Sequence, residues 1–348
     1  MTDQHKRTLD VVVPLYNEAE GIDQFHAVLV DVLESVGDRY EWSVVYVVDP
    51  SSDGTSEHVR QFVARDERVR AVLLLRRAGH QMSLVAGMEQ TTADAVITMD
   101  GDLQHPPELI PRMLELFESG VDVVQTVRAK THQQGVLGRT ASRGFYRVMR
   151  RLSEVSIVEG GADFRLMSAR VVRILTREIP ESDRFLRGLI PWLGVPTETL
   201  EFTAPARAAG RSKYSFGRSL SLAASGLVSF SKAPLHVGIV LGAVVSLLGL
   251  VAGLVALVMK LSGAGIPEGW ATLVVLVAIL SGVQLMTLGL IGLYVGVIFD
   301  EAKKRPQILV DELVVGRTQG PAGVRSQDLP VITRPAPGER RPADRPTA

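Results

Sequence analysis

Short apolar runs recur along the first third of the chain, at Val11–Leu15, Val44–Val48, Val69–Leu75, Ala95–Met99 and Val121–Val127. They are valine-rich and continuous rather than alternating, the pattern of strands covered by helices on both faces. Stretches of helical period separate them. In one of these, Leu109, Ile110, Met113, Leu114 and Phe117 form a single apolar stripe, with Pro106 and Pro107 where a helix would begin. The alternation predicts an α/β fold with a doubly wound, mainly parallel sheet, whose ligands belong in a crevice at the carboxyl ends of the strands. From about 138 to 205 the rhythm loosens into helices around Phe145, Val172 and Leu189 and a short strand near Glu198 to Thr203.

Farther on, the pattern changes in kind. Phe216, Leu220, Ala223, Leu227 and Phe230 repeat at helical spacing, with serines 219, 221, 225 and 229 at other positions. Such a helix either lies in a membrane interface or packs as an ordinary amphipathic helix on the domain. Val237 to Met259 and Ala271 to Phe299 then run without a charge, each longer than the roughly 20 residues that cross a hydrocarbon core. Arg218 and Lys232 precede the first run, Lys303, Lys304 and Arg305 follow the second, and only Lys260 and Glu268 lie between. Positive-inside bias then places both termini in the cytoplasm. Gly282, Gly289, Gly292 and Gly296 offer small-residue faces for packing against the first run or against another subunit, so a homo-oligomer is one option. The expected divisions are a tail over 1–8, a globular domain over 9–210, an amphipathic segment over 211–235, two spans within 236–300, a juxtamembrane segment over 301–315 and a disordered tail over 316–348.

Composition narrows the chemistry. Among 348 residues, Lys+Arg and Asp+Glu each total 38, so no global field draws the chain to nucleic acid. The absence of cysteine excludes disulfides, thiolate nucleophiles and cysteine zinc sites. Met1 to Thr8 is polar and leads directly into a strand-like run, so no cleavable signal peptide is expected.

Candidate chemistry collects at the predicted strand ends. Asp100-Gly101-Asp102-Leu103-Gln104 follows the fourth run. Two carboxylates one residue apart there can hold Mg²⁺ or Mn²⁺ and leave positions open for phosphate oxygens. By themselves they are equally suited to cap the next helix. Gly101 permits close backbone approach. Pro14-Leu15-Tyr16-Asn17-Glu18, Asp49-Pro50-Ser51-Ser52-Asp53-Gly54-Thr55 and Arg76-Arg77-Ala78-Gly79-His80-Gln81 follow the first three runs. Each has a turn-and-cap explanation, but four motifs converge on one crevice. Arg128, Arg165, Arg207 and Lys213 add a basic side, although each alone reads more readily as a solvated surface charge.

Together these motifs resemble the family 2 glycosyltransferases of the GT-A fold, and more narrowly the polyprenyl-phosphate glycosyltransferases. That group includes the bactoprenol glucosyltransferases, undecaprenyl-phosphate aminoarabinose transferases and dolichol-phosphate mannose synthases. The matching stretches are Pro14 to Glu18, Asp49 to Thr55, Arg76 to Met88, Asp100 to Pro107, Gly161 to Met167, Arg207 to Tyr214 and Leu290 to Pro306. The resemblance implies that Pro14, Tyr16, Glu18, Asp49, Arg76, Gly79, Gln81, Asp100, Gly101 and Asp102 bind a nucleotide-sugar donor, with Asp49 near the base. It implies that Asp100 and Asp102 hold the metal, and that Arg128, Arg165, Arg207 and Lys213 bind the phosphate of a polyprenyl acceptor. Arg165 and Lys213 join the two aspartates as the implied catalytic set. Val48 and Pro50 depart from the family, where a second acid and a glycine are common, and His105 is given no role.

The implied reaction is inverting transfer of a sugar, UDP-linked by similarity to the bactoprenol-type members, to undecaprenyl or decaprenyl phosphate at a bacterial inner membrane, with the catalytic domain and both termini in the cytoplasm. A GDP-mannose-dependent mannose synthase and a catalytically inactive carrier-binding scaffold are the alternatives. A processive synthase lacks support, because Arg187-Gly188-Leu189-Ile190-Pro191-Trp192 does not supply a Gln-x-x-Arg-Trp motif. A transporter lacks it too, because the two apolar runs carry no intramembrane acid or base.

Overall fold

The computed structural model describes residues 6–129, 160–181, 184–203 and 269–316, with scattered positions between 238 and 262. Two compact units emerge: Met1–Gln133, Ile157–Gly210 and Pro306–Ala348 form one, and Gln134–Ser156 with Arg211–Arg305 the other. The first is built on an eight-stranded sheet of order β7-β5-β6-β4-β1-β2-β3-β8. Its strands are β1 (Arg7–Leu15), β2 (Tyr40–Val48), β3 (Val69–Leu74), β4 (Ala95–Thr98), β5 (Val123–Arg128), β6 (Gly161–Ser168), β7 (Thr197–Phe202) and β8 (Val310–Val314). The pairs β1–β2, β1–β4, β2–β3 and β5–β7 are parallel, whereas β6 runs antiparallel to both β4 and β5, and β8 antiparallel to β3.

Burial on both faces accounts for the continuous valine runs. In β1, Val11 and Val13 pack with α1 (Ile22–Ser35), α2 (Thr55–Arg65) and α4 (Ile110–Glu118), while Val12 between them faces α3 (His80–Met88), α5 (Ala169–Arg173) and α6 (Leu186–Trp192). A π-helical turn, Ile174–Glu178, extends α5. Helix α3 is buried from Met82 to Met88 and lies against β1 and β2 at Gly87, where an added Cβ would stand 2.3 Å from Val12 Cγ1 and 2.8 Å from Val47 Cγ2. The chain lays β2 and β3 on one side of β1 and then crosses to place β4 on the other. The switch point therefore lies between β1 and β4, where a doubly wound sheet opens its crevice.

Two strands escaped the hydrophobic pattern. Gly161–Ser168 is an interior strand despite Asp163 and Arg165, because the two charges neutralise one another within the protein. The segment expected as juxtamembrane contains β8, whose Ile308 and Val310 flank join the core and cover the edge of β3.

In the second unit, α7 (Trp270–Lys303) includes one stretch, Ile279–Lys303, long and apolar enough to cross a membrane, with mean hydropathy 1.9 and no burial. It coincides with most of the second expected span. Described positions between 238 and 261 are helical, and an added Cβ at Gly238 would lie 3.8 Å from both Thr287 and Leu290 of α7. Among the described residues, however, α7 alone meets the length and hydropathy of a span, so the pair of spans is not established. The expected helix near Phe145, the amphipathic segment 211–235 and the tail beyond 316 lie outside the described residues.

Candidate active site

The loops after β1 and β2 are joined by side-chain hydrogen bonds. Asn17, left-handed at φ 55°, donates its N–H to Ser51 Oγ at 3.1 Å, and its Oδ1 accepts from Ser52 N–H at 2.9 Å. Glu18 N–H donates to Thr55 Oγ1 at 3.0 Å and Ala19 N–H to Asp53 Oδ2 at 3.0 Å. Asp53 also accepts from the Thr55 hydroxyl, and these bonds hold its carboxyl below the usual range although burial opposes them. Polar residues that read as turn formers thus fix two loops as one wall.

Asp49 closes the neighbouring side. Only 3% exposed at the end of β2, it accepts Ala78 N–H at 3.1 Å and Ser83 Oγ–H at 3.3 Å on Oδ1, and Gly79 N–H at 3.3 Å on Oδ2. Gly79, at φ 86°, makes the turn that presents these amides. Asp49 therefore shapes the loop entering α3. Arg77 lies over the ring of half-exposed Tyr16 at 3.8 Å, while Arg76 donates to Gln307 at 3.0 Å, toward the β8 edge.

Across the switch point stands the acidic loop. Gly101 has to be glycine, because a Cβ there would approach Leu15 Cδ2 to 2.7 Å and Val13 Cγ1 to 3.3 Å. Leu103 turns the chain at φ 58°, a conformation that costs a side-chain-bearing residue about 1–2 kcal/mol and here keeps the loop compact. Asp102 is exposed and held by Gln104, whose N–H donates to Oδ1 at 3.1 Å and whose Nε2 donates to Oδ2 at 2.6 Å. Arg128 donates to Gln104 Oε1 at 3.0 Å, so Asp102, Gln104 and Arg128 form one chain of contacts. Buried His105 accepts the Asp100 N–H on Nδ1 at 3.0 Å. Burial, aided by the Arg128 charge, pushes this imidazole down to about 3, so it is neutral and its approach to the Asp100 carboxylate is not an ion pair.

Antiparallel pairing of Thr98 with Arg165, continued two residues, sets Asp163 opposite Asp100. Asp163 is 1% exposed and collects donors from four side chains: Arg165 Nη2 at 2.8 Å, Arg187 Nη2 at 2.6 Å, Gln81 Nε2 at 3.0 Å and His80 Nε2 at 3.1 Å. Against its burial, these hold its carboxyl far below the usual range. His80 Nε2 is also 3.3 Å from Asp100 Oδ1. Burial lowers the His80 pKa, yet the Asp163 hydrogen bond and both carboxylate charges leave it raised overall. Asp100 is pushed up to about 6, by burial first and by the charges of Asp163 and Asp102, against the attraction of His80 and Arg187.

One feature of this arrangement points to a cation. Asp100 Oδ1 is buried and accepts no hydrogen bond; the charge beside it is His80 at 3.3 Å, and a cation bound directly to the oxygen would offset its desolvation further. Asp100 and Asp102 thus fit a divalent metal. Among the described residues no three His, Asp or Glu side chains gather to hold one alone, so its remaining ligands would be water and phosphate oxygens.

The structure brings Pro14, Tyr16, Glu18, Asp49, Gly79, Gln81, Asp100, Gly101, Asp102, Arg128 and Arg165 to the carboxyl ends of the strands. Arg165 is 3% exposed and donates to Asp163 and to Ala162 C=O, so it braces the site from beneath. Arg207 and Lys213 lie outside the described residues. Sequence reading left four participants without roles: His80, Gln104, His105 and Arg187. The first three stand within quoted motifs, and Arg187 is the one charge in the apolar run Leu186–Trp192.

The model of glycosyl transferase family 2 matches residues 10–175. The chain is 34% identical over 302 residues to a Bacillus subtilis protein described as uncharacterized glycosyltransferase YkcC, covering 87% of this chain and 93% of that one. It is 33% identical over 302 residues to the bactoprenol glucosyl transferase of Shigella phage SfX, covering 87% and 98%. Glucosyl-3-phosphoglycerate synthase from Mycobacterium tuberculosis, solved with Mn²⁺, UDP and phosphoglyceric acid, superposes at a TM-score of 0.45 with 16% identity over 64% of this chain and 76% of that one, too loosely to speak for the ligands of this protein.

Proposed function

Since the chain belongs to glycosyl transferase family 2 and is a glycosyltransferase, we propose that it moves a sugar from a nucleotide-diphosphate donor, UDP-linked in our reading, to a polyprenyl phosphate. The observation that carries the reading is the acidic loop at the switch point, where Asp100 presents a buried carboxylate oxygen that accepts no hydrogen bond beside Asp102. Full-length similarity to bactoprenol glucosyl transferases supports the lipid acceptor.

A phosphate monoester has its second pKa near 6, so the acceptor is largely a dianion at neutral pH and its oxygen attacks without a general base. That suits a site whose most buried carboxylate, Asp163, is committed to four donors and is no proton acceptor. Attack opposite the leaving group inverts the anomeric centre. Mg²⁺ or Mn²⁺ on Asp100 and Asp102 would supply Lewis-acid stabilisation of the leaving diphosphate. Asp49 and the joined loops after β1 and β2 shape the nucleotide side, while Gln104 and Arg128 hold Asp102 in place. Arg207 and Lys213 complete the acceptor side.

A polyprenyl chain stays in the bilayer, so the enzyme has to work at its surface. Helix α7, the helical positions between 238 and 261 and the flanking lysines and arginines support a two-span anchor with cytoplasmic termini in a bacterial inner membrane.

The test is incubation of membranes bearing the protein with a panel of labelled sugar nucleotides, followed by chromatography of the lipid fraction. We expect a labelled lipid with one UDP-sugar and its loss on chelation. Product from GDP-mannose alone would select the mannose-synthase alternative, and no product from any donor would favour a scaffold. Turnover that survives complete chelation would remove the metal from the site.

A further inference from the structure

Two arginines meet at Asp163, and they differ in what they can reach. The Arg165 side chain is 3% exposed and its contacts are internal. Arg187 forks onto the same carboxylate, Nε to Oδ1 at 3.1 Å and Nη2 to Oδ2 at 2.6 Å, yet its side chain is 48% exposed. Asp163 stands opposite Asp100 in the β4–β6 register, and His80 Nε2 lies 3.1 Å from the one and 3.3 Å from the other, so the fork sets Arg187 beside the acidic loop.

A half-exposed guanidinium held beside a carboxylate pair suited to a phosphate-bound metal is placed to meet a phosphate oxygen. The fork onto a buried carboxylate also holds the guanidinium in one orientation, so little side-chain entropy is lost when it binds.

We propose that Arg187, oriented by Asp163, is the guanidinium that contacts substrate phosphate in this crevice, with Arg165 serving as the buried brace. This rests on the glycosyl-transfer reading above. The shared chemistry is a phosphate oxygen, from either the donor diphosphate or the lipid phosphate.

The experiment compares full-length wild type, Arg187→Ala and Arg187→Lys in detergent. Calorimetry measures binding of UDP and GDP with Mn²⁺ and no lipid, steady-state kinetics give KM for each substrate, and thermal melting reports folding. If the donor is the partner, Arg187→Ala weakens nucleoside diphosphate binding roughly 10- to 100-fold, as loss of a charged hydrogen bond implies. Arg187→Lys then falls between, keeping the charge without the fork. If the lipid phosphate is the partner, nucleotide binding holds and the acceptor KM rises by that factor instead.

Unchanged binding and unchanged KM for both substrates, within about twofold, would overturn the proposal, and a lowered melting temperature alone would assign Arg187 a structural role. Should Arg187→Ala not fold, Arg187→Lys decides by the same readouts. Wild type that binds UDP or GDP but turns over no sugar nucleotide would sink the reaction while leaving the Arg187 comparison readable. Wild type that binds neither nucleotide and turns over nothing would overturn both.

Discussion

Gly87 shows how little room the helix above the crevice has. A methyl there would press on Val12 and Val47, branched side chains fixed in neighbouring strands, so neither can yield cheaply. Gly87→Ala should destabilise the protein by about 1–3 kcal/mol through overpacking, read from denaturation midpoints. His26 offers a pH-dependent counterpart away from the site. It stacks on Phe62 with ring centroids 4.0 Å apart and meets the Tyr46 hydroxyl at 2.9 Å. Burial raises the Tyr46 pKa, so that hydroxyl donates and His26 Nδ1 accepts. Burial also lowers the His26 pKa, despite the attraction of Asp66 and Asp23. The folded state therefore binds fewer protons than the unfolded one, and this contribution is complete above the unfolded value near 6.5 and lost as pH falls through it. Melting temperature should decline between pH 7 and pH 5.5, and His26→Gln should flatten that decline. A His26→Gln slope equal to wild type would assign the decline to other groups.

At the scale of elements, β1 to β5 were legible because each is a valine-rich run between turn residues. The amino-terminal ends of β1 and β2 reach farther than their apolar cores suggest, since pairing from Arg7 with Tyr40 onward recruits polar residues. β6 was quoted only as a motif. A strand carrying Asp163 and Arg165 has no apolar signature until the register that neutralises them is known. The same gap concealed part of the site: Asp100 and Asp102 were readable from their strand end, but the gathering of His80, Gln81 and Arg187 on Asp163 depends on sheet order. β8 was missed because Asp311 and Glu312 split its apolar residues into two short groups, Ile308 to Val310 and Leu313 to Val315. Its contribution is unevenly distributed. Ile308→Ala should cost about 2–5 kcal/mol, whereas Glu312→Ala, which breaks an exposed pair with Arg60, should cost under about 1 kcal/mol. Equal losses from the two would mean that the strand is held by its charge and not by its burial.

For the whole molecule, the contrast between the two units is one of solvent. The sheet unit buries its large apolar side chains, while α7 leaves Leu285, Met286 and Ile298 more than 60% exposed. An unburied run of that length and hydropathy suits the proposed membrane anchor. The protein should remain in the membrane fraction after an alkaline carbonate wash and leave it only with detergent. Release by carbonate alone would contradict the anchor.

The closing strand has a consequence for how the protein is made. Arg60 and Glu312 are partners 252 positions apart, and β3 has no outer neighbour until β8 arrives. A ribosome has therefore already released the whole apolar helix before the sheet can be sealed. With the proposed anchor, commitment to the bilayer precedes completion of the enzyme, and until then the bare margin of β3 is open to any stray strand. Nascent chains stalled before Pro306 should be more readily aggregated and proteolysed than those stalled well past Val314.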